Sequence, residues 1–284
     1  MNANLPHKTP AINTWLAEAI RQLSDEGIPS PRLDAEIILA HTLRKSRTYL
    51  HAHDDEPLTP RHVEIADARL ALRLDRTPIA YIIGHKEFYG RMFKVTPATL
   101  IPRPESETII ELLKELLPDS NALLPQAKRR LVDVGAGSGC LGITAKLEFP
   151  ELDVTLIDIS RHALHVAEFN AAHLGATVTM THGNLLANYP LPIDIVVANL
   201  PYVDPEWERS PETNYEPSLA LFAENNGLSL IYKLIEQARN SLTPAGYMLL
   251  EADPRQHDAI ISAAKNHGFQ KVKVRGFIVC LQKS

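Results

Sequence analysis

From position 131 onward, short apolar runs alternate with stretches of helical period, and no other feature of the chain restricts the fold as much. The runs cover residues 131–134, 154–157, 178–181, 193–198, 247–251 and 271–281. Apolar runs this short, bounded by turn residues, read as strands buried on both faces, and the helical stretches between them are the crossovers that parallel strands require. About six or seven strands in this order predict an α/β fold, with a largely parallel sheet covered by helices on both sides. The last run has no long helix within it and predicts an antiparallel hairpin at one edge.

Ahead of this region the period is helical. Trp15, Ala19, Ile20 and Leu23 form one stripe, Leu33, Ile37, Ile38 and Leu43 a second, and Val63, Ile65, Ala68, Leu70 and Leu72 a third. Pro29-Ser30-Pro31 and Pro57-Leu58-Thr59-Pro60 separate them, with Pro60 placed to open the third helix. Residues 78–95 change to short extended runs around Gly84 and Gly90, which predict a hairpin linker; 106–117 predict an amphipathic helix and 118–130 a loop. The expected division is a small helical domain over residues 1–77, a hairpin linker over 78–105 and the α/β domain over 106–284.

A chain of 284 residues has room for two domains and a sizeable core. Its charge is mixed, with a formal net of −5, so no basic field points to direct contact with nucleic acid. Cys140 and Cys280 make neither a metal cluster nor a disulfide framework, and Cys140 reads as a small packing residue. His51 and His53, like His162 and His165, lack carboxylate or cysteine company at ligand spacing, so no metal is expected. Nothing resembles a leader or a membrane span, which makes a cytoplasmic location without membrane contact the expectation, and a monomer is expected beside it.

The first strand of the α/β region runs into Asp133-Val134-Gly135-Ala136-Gly137-Ser138-Gly139. Glycines at a strand-to-helix bend permit positive φ and let a ligand approach the backbone amides. Gly137, Gly139 and Gly142 also fit a dinucleotide fingerprint. Three points favour a sulfonium cofactor, S-adenosylmethionine, instead. Asp133 would repel a pyrophosphate but not a cation. The close spacing of Gly135, Gly137 and Gly139 suits a compact ligand, and no lysine stands in the phosphate-loop position. One strand-helix-strand unit later Asp158 follows a strand, placed to accept from both ribose hydroxyls. A purely structural turn with a surface aspartate is the alternative.

Asn199-Leu200-Pro201-Tyr202 follows the strand at 193–198. Two such turns at the carboxyl ends of parallel strands share one crevice. An amide nitrogen is a poor nucleophile because its lone pair is delocalised. Two acceptors, the Asn199 side-chain oxygen and the Leu200 carbonyl, can hold an NH2 group and favour positive charge developing on nitrogen. Tyr202 offers a flat surface for a planar group, and Pro201 stiffens the corner. The combination predicts methyl transfer to a planar NH2 group, with a plain strand-ending turn as the alternative reading of the tetrapeptide.

With these residues assembled, the chain resembles the protein-glutamine N5-methyltransferases that act on peptide chain release factors (the HemK family). The likeness runs from about Leu16 to Phe269 and is most specific outside the general methyltransferase core. It includes Pro78-Ile79-Ala80-Tyr81-Ile82-Ile83-Gly84, Glu87-Phe88-Tyr89-Gly90 and Leu100-Ile101-Pro102-Arg103-Pro104-Glu105-Ser106-Glu107. After the corner it continues in Tyr215-Glu216-Pro217, Ala220-Leu221-Phe222-Ala223 and Gly227-Leu228. The resemblance implies a helical domain that docks the release factor and a Rossmann-like domain that methylates the glutamine of its Gly-Gly-Gln loop. It implies that Asp133, Gly135, Ala136, Gly137, Ser138, Gly139, Asp158 and Asn199 hold S-adenosylmethionine, with Asn184 and Leu185 near the adenine. Asn199, Leu200, Pro201 and Tyr202 would hold the glutamine amide and carry the catalysis. Three places depart from the family's pattern: Leu200 stands where proline is usual, Ala252 where glycine is usual, and the last strands are joined without the expected aspartate-to-arginine segment. Adenine N6-methylation of nucleic acid, or a catalytically weak S-adenosylmethionine-binding module, remain the alternatives.

Overall fold

The helical period ahead of Gly84 is realised as five helices in the computed structural model, which describes residues 9–117, 129–187, 189–190 and 192–284. Most of the loop expected over 118–130, namely residues 118–128, lies outside the described residues. The chain divides into two units: Met1–Gly84 with Ser210–Tyr215, and His85–Arg209 with Glu216–Ser284.

The first unit contains α1 (Ile12–Asp25), α2 (Pro31–Leu43), α3 (Arg47–Ala52), α4 (Pro60–Leu74) and α5 (Ile79–Ile83). Pro31 and Pro60 both start helices, and Ser46 and Thr59 cap α3 and α4. Of the first predicted stripe Trp15, Ala19 and Leu23 are buried and Ile20 partly so, but the two others are displaced at single positions. Leu33 and Leu72 are exposed, whereas Asp34, Ala66 and Arg73, outside the predicted stripes, are buried beside the predicted Ile38 and Leu70. An ion pair explains the displacement: Arg73 Nε donates to Asp34 at 2.7 Å, and its Nη2 donates to Glu212 at 3.1 Å. A buried charge pair is polar in any hydropathy pattern, so periodicity assigns it to the wrong face. Residues 79–83, expected to be extended, form a helix ended by Gly84 in the left-handed region.

The second unit opens with the antiparallel hairpin β1 (His85–Phe88) and β2 (Arg91–Lys94), whose Phe88 and Phe93 are buried in its core. There follow α6 (Glu107–Leu116), β3 (Arg130–Val134), α7 (Cys140–Glu148), β4 (Asp153–Asp158), α8 (Arg161–Leu174), β5 (Thr179–His182) and β6 (Ile193–Ala198). The chain then forms α9 (Ser218–Leu221), α10 (Ser229–Ser241), β7 (Leu242–Glu251), α11 (His257–Asn266), β8 (Phe269–Arg275) and β9 (Ile278–Lys283). Seven strands make one sheet in the order β5-β4-β3-β6-β7-β9-β8. The first five are parallel, and β9 pairs antiparallel with both β7 and β8, as the terminal hairpin predicted. Alternate strand residues supply two cores. Leu131, Ile195 and Leu249 pack with residues of α6, α7 and α8, while Val132, Val196 and Met248 pack with residues of α10 and α11. This is the α/β, Rossmann-like arrangement expected. Its strand order reverses between β3 and β6, which places a crevice at their carboxyl ends.

Candidate active site

The crevice is a cavity of about 260 Å³ at the carboxyl ends of β3, β4 and β6, with walls from the second unit alone. Asp133, Gly135, Ala136, Gly137 and Ser138 line it from the first strand end, and Asp158, Asn184 and Leu185 from the neighbouring side. Asn199, Leu200 and Pro201 complete it, so the two motifs meet in one space as their positions on the strands require. Gly139 and Tyr202 are the two predicted residues that do not line it. Gly139 instead starts α7, where a Cβ would come within 2.7 Å of Ile143.

The glycine turn is held by backbone and by carboxylate. Gly135 and Ala136 both donate N–H to the carbonyl of Ile157, at 2.8 and 3.0 Å. Gly137 N–H donates to Asp158 Oδ2 at 2.8 Å, and Ser160 N–H to its Oδ1 at 2.7 Å. Asp158 thus clamps the turn while each of its oxygens keeps a lone pair for a further donor. Burial holds its pKa above the ordinary range despite these N–H groups. Gly137 has φ +56°, and a Cβ there would meet nothing closer than 4.0 Å, so this backbone faces open space.

Asp133 is 1% exposed. Its Oδ2 accepts from Gly142 N–H at 2.8 Å, but its Oδ1 has no hydrogen-bond partner among the described residues. Burial pushes this carboxyl up to about 7, and the Asp158 charge adds to the shift against the Gly142 N–H. A buried oxygen left without a donor in a cavity wall is a costly arrangement that a cationic ligand would relieve.

Leu200 is buried with its side chain against the glycine turn, 2.9 Å from where a Cβ on Gly135 would lie. Its bulk therefore fills the space between the two motifs. Asn199 Nδ2 donates to Ser106 Oγ at 3.0 Å, Ser106 donates in turn to Glu251, and Tyr202 Oη donates to the other oxygen of Glu251 at 3.2 Å. Burial and the Glu251 charge raise the Tyr202 pKa, so the ring is a neutral phenol.

Several supporting residues have roles that the sequence alone does not assign. Asn170, fully buried on α8, donates to the carbonyls of Ser138 and Lys94 at 2.9 and 3.0 Å and accepts from Lys94 N–H at 2.8 Å, tying the glycine turn to the hairpin. Glu216 pairs with Arg103 and accepts from Ile101 N–H at 3.1 Å, anchoring a cavity wall. Gln256 donates to the carbonyls of Tyr202 and Asn226 at 2.9 and 2.7 Å. Glu251 did carry a local sign, an acid closing an apolar strand, as Asp158 does. Ser106 stands in the family-like stretch 100–107, with no sign of its partners, and nothing local distinguishes Asn170 or Gln256.

Among the described residues there is no group of acids, histidines and cysteines able to hold a metal, and no helix long and apolar enough to cross a membrane.

Known proteins place this site in context. Residues 14–84 match the family described as PrmC N-terminal domain, and residues 111–212 match the methyltransferase small domain. A release factor glutamine methyltransferase of Koribacter versatilis is 38% identical over 246 residues, covering 83% of this chain and 86% of the relative. That of Escherichia coli is 34% identical, covering 91% and 92%. A solved methyltransferase from Pyrococcus furiosus shares the fold at 17% identity, with a TM-score of 0.50 over 76% of this chain and 97% of that one. With the glycine turn, the strand-end acid and the Asn199 corner in one crevice, and with likeness of this extent, the chain belongs to the release factor glutamine methyltransferase family.

Proposed function

We propose that this protein transfers the methyl group of S-adenosylmethionine to the side-chain amide nitrogen of the glutamine in the Gly-Gly-Gln motif of peptide chain release factors. The observation that carries the reading is Asn199, whose NH2 end is committed to Ser106 so that its oxygen is left for a substrate N–H. The cavity residues fit the cofactor. Asp133 offers an unpartnered oxygen to a cation, Asp158 offers lone pairs to a ribose diol, and Asn184 and Leu185 would flank the adenine. When bound, S-adenosylmethionine supplies a methyl group made electrophilic by the sulfonium.

The chain's own residues do the rest. Asn199 Oδ1 and the Leu200 carbonyl accept the two N–H groups of the glutamine amide and favour the positive charge that grows on its nitrogen. Tyr202, beside the cavity rather than in its lining, would present its ring to the glutamine as it enters, and the rigid turn at Pro201 keeps the acceptors in place, so that much of the rate comes from alignment. Adenine N6-methylation is not favoured, because the relatives sharing most of this chain are named for release factor glutamine. Both cysteines are free, and burial raises both thiols, which suits the reducing cytoplasm. Methyl-labelled S-adenosylmethionine should label a release factor bearing Gly-Gly-Gln, but neither the same factor with alanine for that glutamine nor duplex DNA. Labelled DNA would overturn the reading.

Two expectations concern the cofactor. Asp158→Ala removes both a ribose acceptor and the clamp on Gly137, and should weaken S-adenosylmethionine binding by about 1.5–3 kcal/mol, read by calorimetry on the folded variant. Affinity should also depend on pH through Asp133. Its pKa of about 7 means that the carboxylate is lost as pH falls through neutrality, and with it the attraction for a cation. Binding should therefore weaken below pH 7, by up to about tenfold per unit, with proton uptake on release of the ligand. Asp133→Asn should flatten that dependence; a wild-type affinity unchanged between pH 6 and 8 would refute the assignment.

A further inference from the structure

Behind the Asn199 corner lies a chain of buried polar groups that ends on one carboxylate. Glu251 closes β7 and is 1% exposed. One of its oxygens accepts from Ser106 Oγ, the other from Tyr202 Oη at 3.2 Å, and Ser106 Oγ accepts from Asn199 Nδ2 at 3.0 Å. We infer that Glu251 is a positioning residue that sets, through Ser106, which end of the Asn199 amide faces the glutamine being methylated, and holds Tyr202 beside it.

The reason is hydrogen-bond polarity. An ionised carboxylate only accepts, so Ser106 must direct its single O–H to Glu251 and can meet Asn199 only with a lone pair. That selects the NH2 end of Asn199 for Ser106 and leaves Oδ1 for the substrate. A reversed Asn199 would set N–H against the N–H of a glutamine amide. Stability does not account for the acid at this position. A buried carboxylate is costly, and glutamine would fill the same space without a charge. Burial lifts Glu251 to about 6, with Ser106, Tyr202 and Asn199 opposing and the Glu105 charge adding, so the acceptor form still prevails above neutrality.

The inference rests on the glutamine-amide reading, and its test separates the two. Glu251→Gln keeps the shape but brings an NH2 group able to donate to Ser106, which lets the chain reverse. Its kcat on a Gly-Gly-Gln-bearing release factor should fall about 10-fold or more, with KM and S-adenosylmethionine affinity within about twofold and Tm unchanged or higher. Ser106→Ala should lose a similar factor, and the double variant should lose no more than either single one, because all three break one chain. Ser106→Thr, which keeps a hydroxyl, should retain most of the turnover. Wild-type kcat in Glu251→Gln, or multiplying losses in the double variant, would overturn the inference. So would a fall in Tm and cofactor binding that accounts for the lost activity. Methylation of DNA in place of the release factor by the unaltered protein would instead remove the reading beneath it.

Discussion

Replacing Asn199 with alanine is expected to lower turnover on a release-factor glutamine by about 10²-fold or more, while S-adenosylmethionine affinity, to which Asn199 adds only one contact among the cavity residues, changes far less. In the proposed chemistry the side-chain oxygen lost in this variant would face charge that grows on the amide nitrogen only as the methyl group moves, so its absence should be felt in the transition state more than in either bound ground state. Asn199 sits just past β6, and its side-chain amide supports neither sheet nor helix, only the polar chain through Ser106 to Glu251. The fold should therefore survive the change. Single-turnover measurement with saturating cofactor isolates the chemical step. A near-normal rate would mean that the amide is held elsewhere, and the chemistry assigned to this corner would be wrong.

Gly227→Ala should be nearly as damaging by a different route. Gly227 has φ +79°, and a Cβ there would lie 1.9 Å from the carbonyl oxygen of Tyr202 and 2.6 Å from Gln256 Nε2. The obstructing atom is backbone and cannot swing aside. Tyr202 would have to move, taking with it the ring and the bond that Gln256 makes to its carbonyl at 2.9 Å. Left-handed strain and overpacking together should cost about 2–5 kcal/mol of stability, with turnover reduced about tenfold or more at a temperature where the variant is folded. Gly268→Ala is the control. Gly268 has a similar φ of +82° but nothing within 4 Å of the added Cβ, so it should show the strain alone and keep its turnover. Equal losses in the two variants would mean that crowding at Tyr202 is not what matters.

Much of this architecture is written in local pattern. The apolar runs at 131–134, 154–157 and 193–198 became β3, β4 and β6 within a residue or two, and the last run became the β8–β9 hairpin. Helices were harder where burial is not hydrophobic. Asp34 and Arg73 are inside because each is the other's partner, and the hydropathy of Leu33 and Leu72 pointed to the wrong face. The short helices α3 and α5 were missed because a turn or two leaves no period to read. Ser210–Tyr215, although embedded in the sequence of the α/β region, belongs with the first unit, where Glu212 meets Arg73.

The sequence by itself determined the strands, the glycine turn and the position of the Asn199-Leu200-Pro201-Tyr202 corner, because backbone propensity, turn chemistry and two-sided burial act over a few residues. It also placed both motifs at strand carboxyl ends, since each directly follows its apolar run. Only the tertiary structure decided what stands behind them. Ser106 and Glu251 are 145 residues apart, and Ser106 and Asn199 are 93 apart. Asn199 and Glu251 are neighbours because β6 pairs with β7, and Ser106 reaches both from the start of α6, a juxtaposition that no local pattern encodes. Hydrogen-bond partners at such separations are selected when the sheet closes and each buried polar group must find a donor or an acceptor, a condition set by the packed whole rather than by its segments.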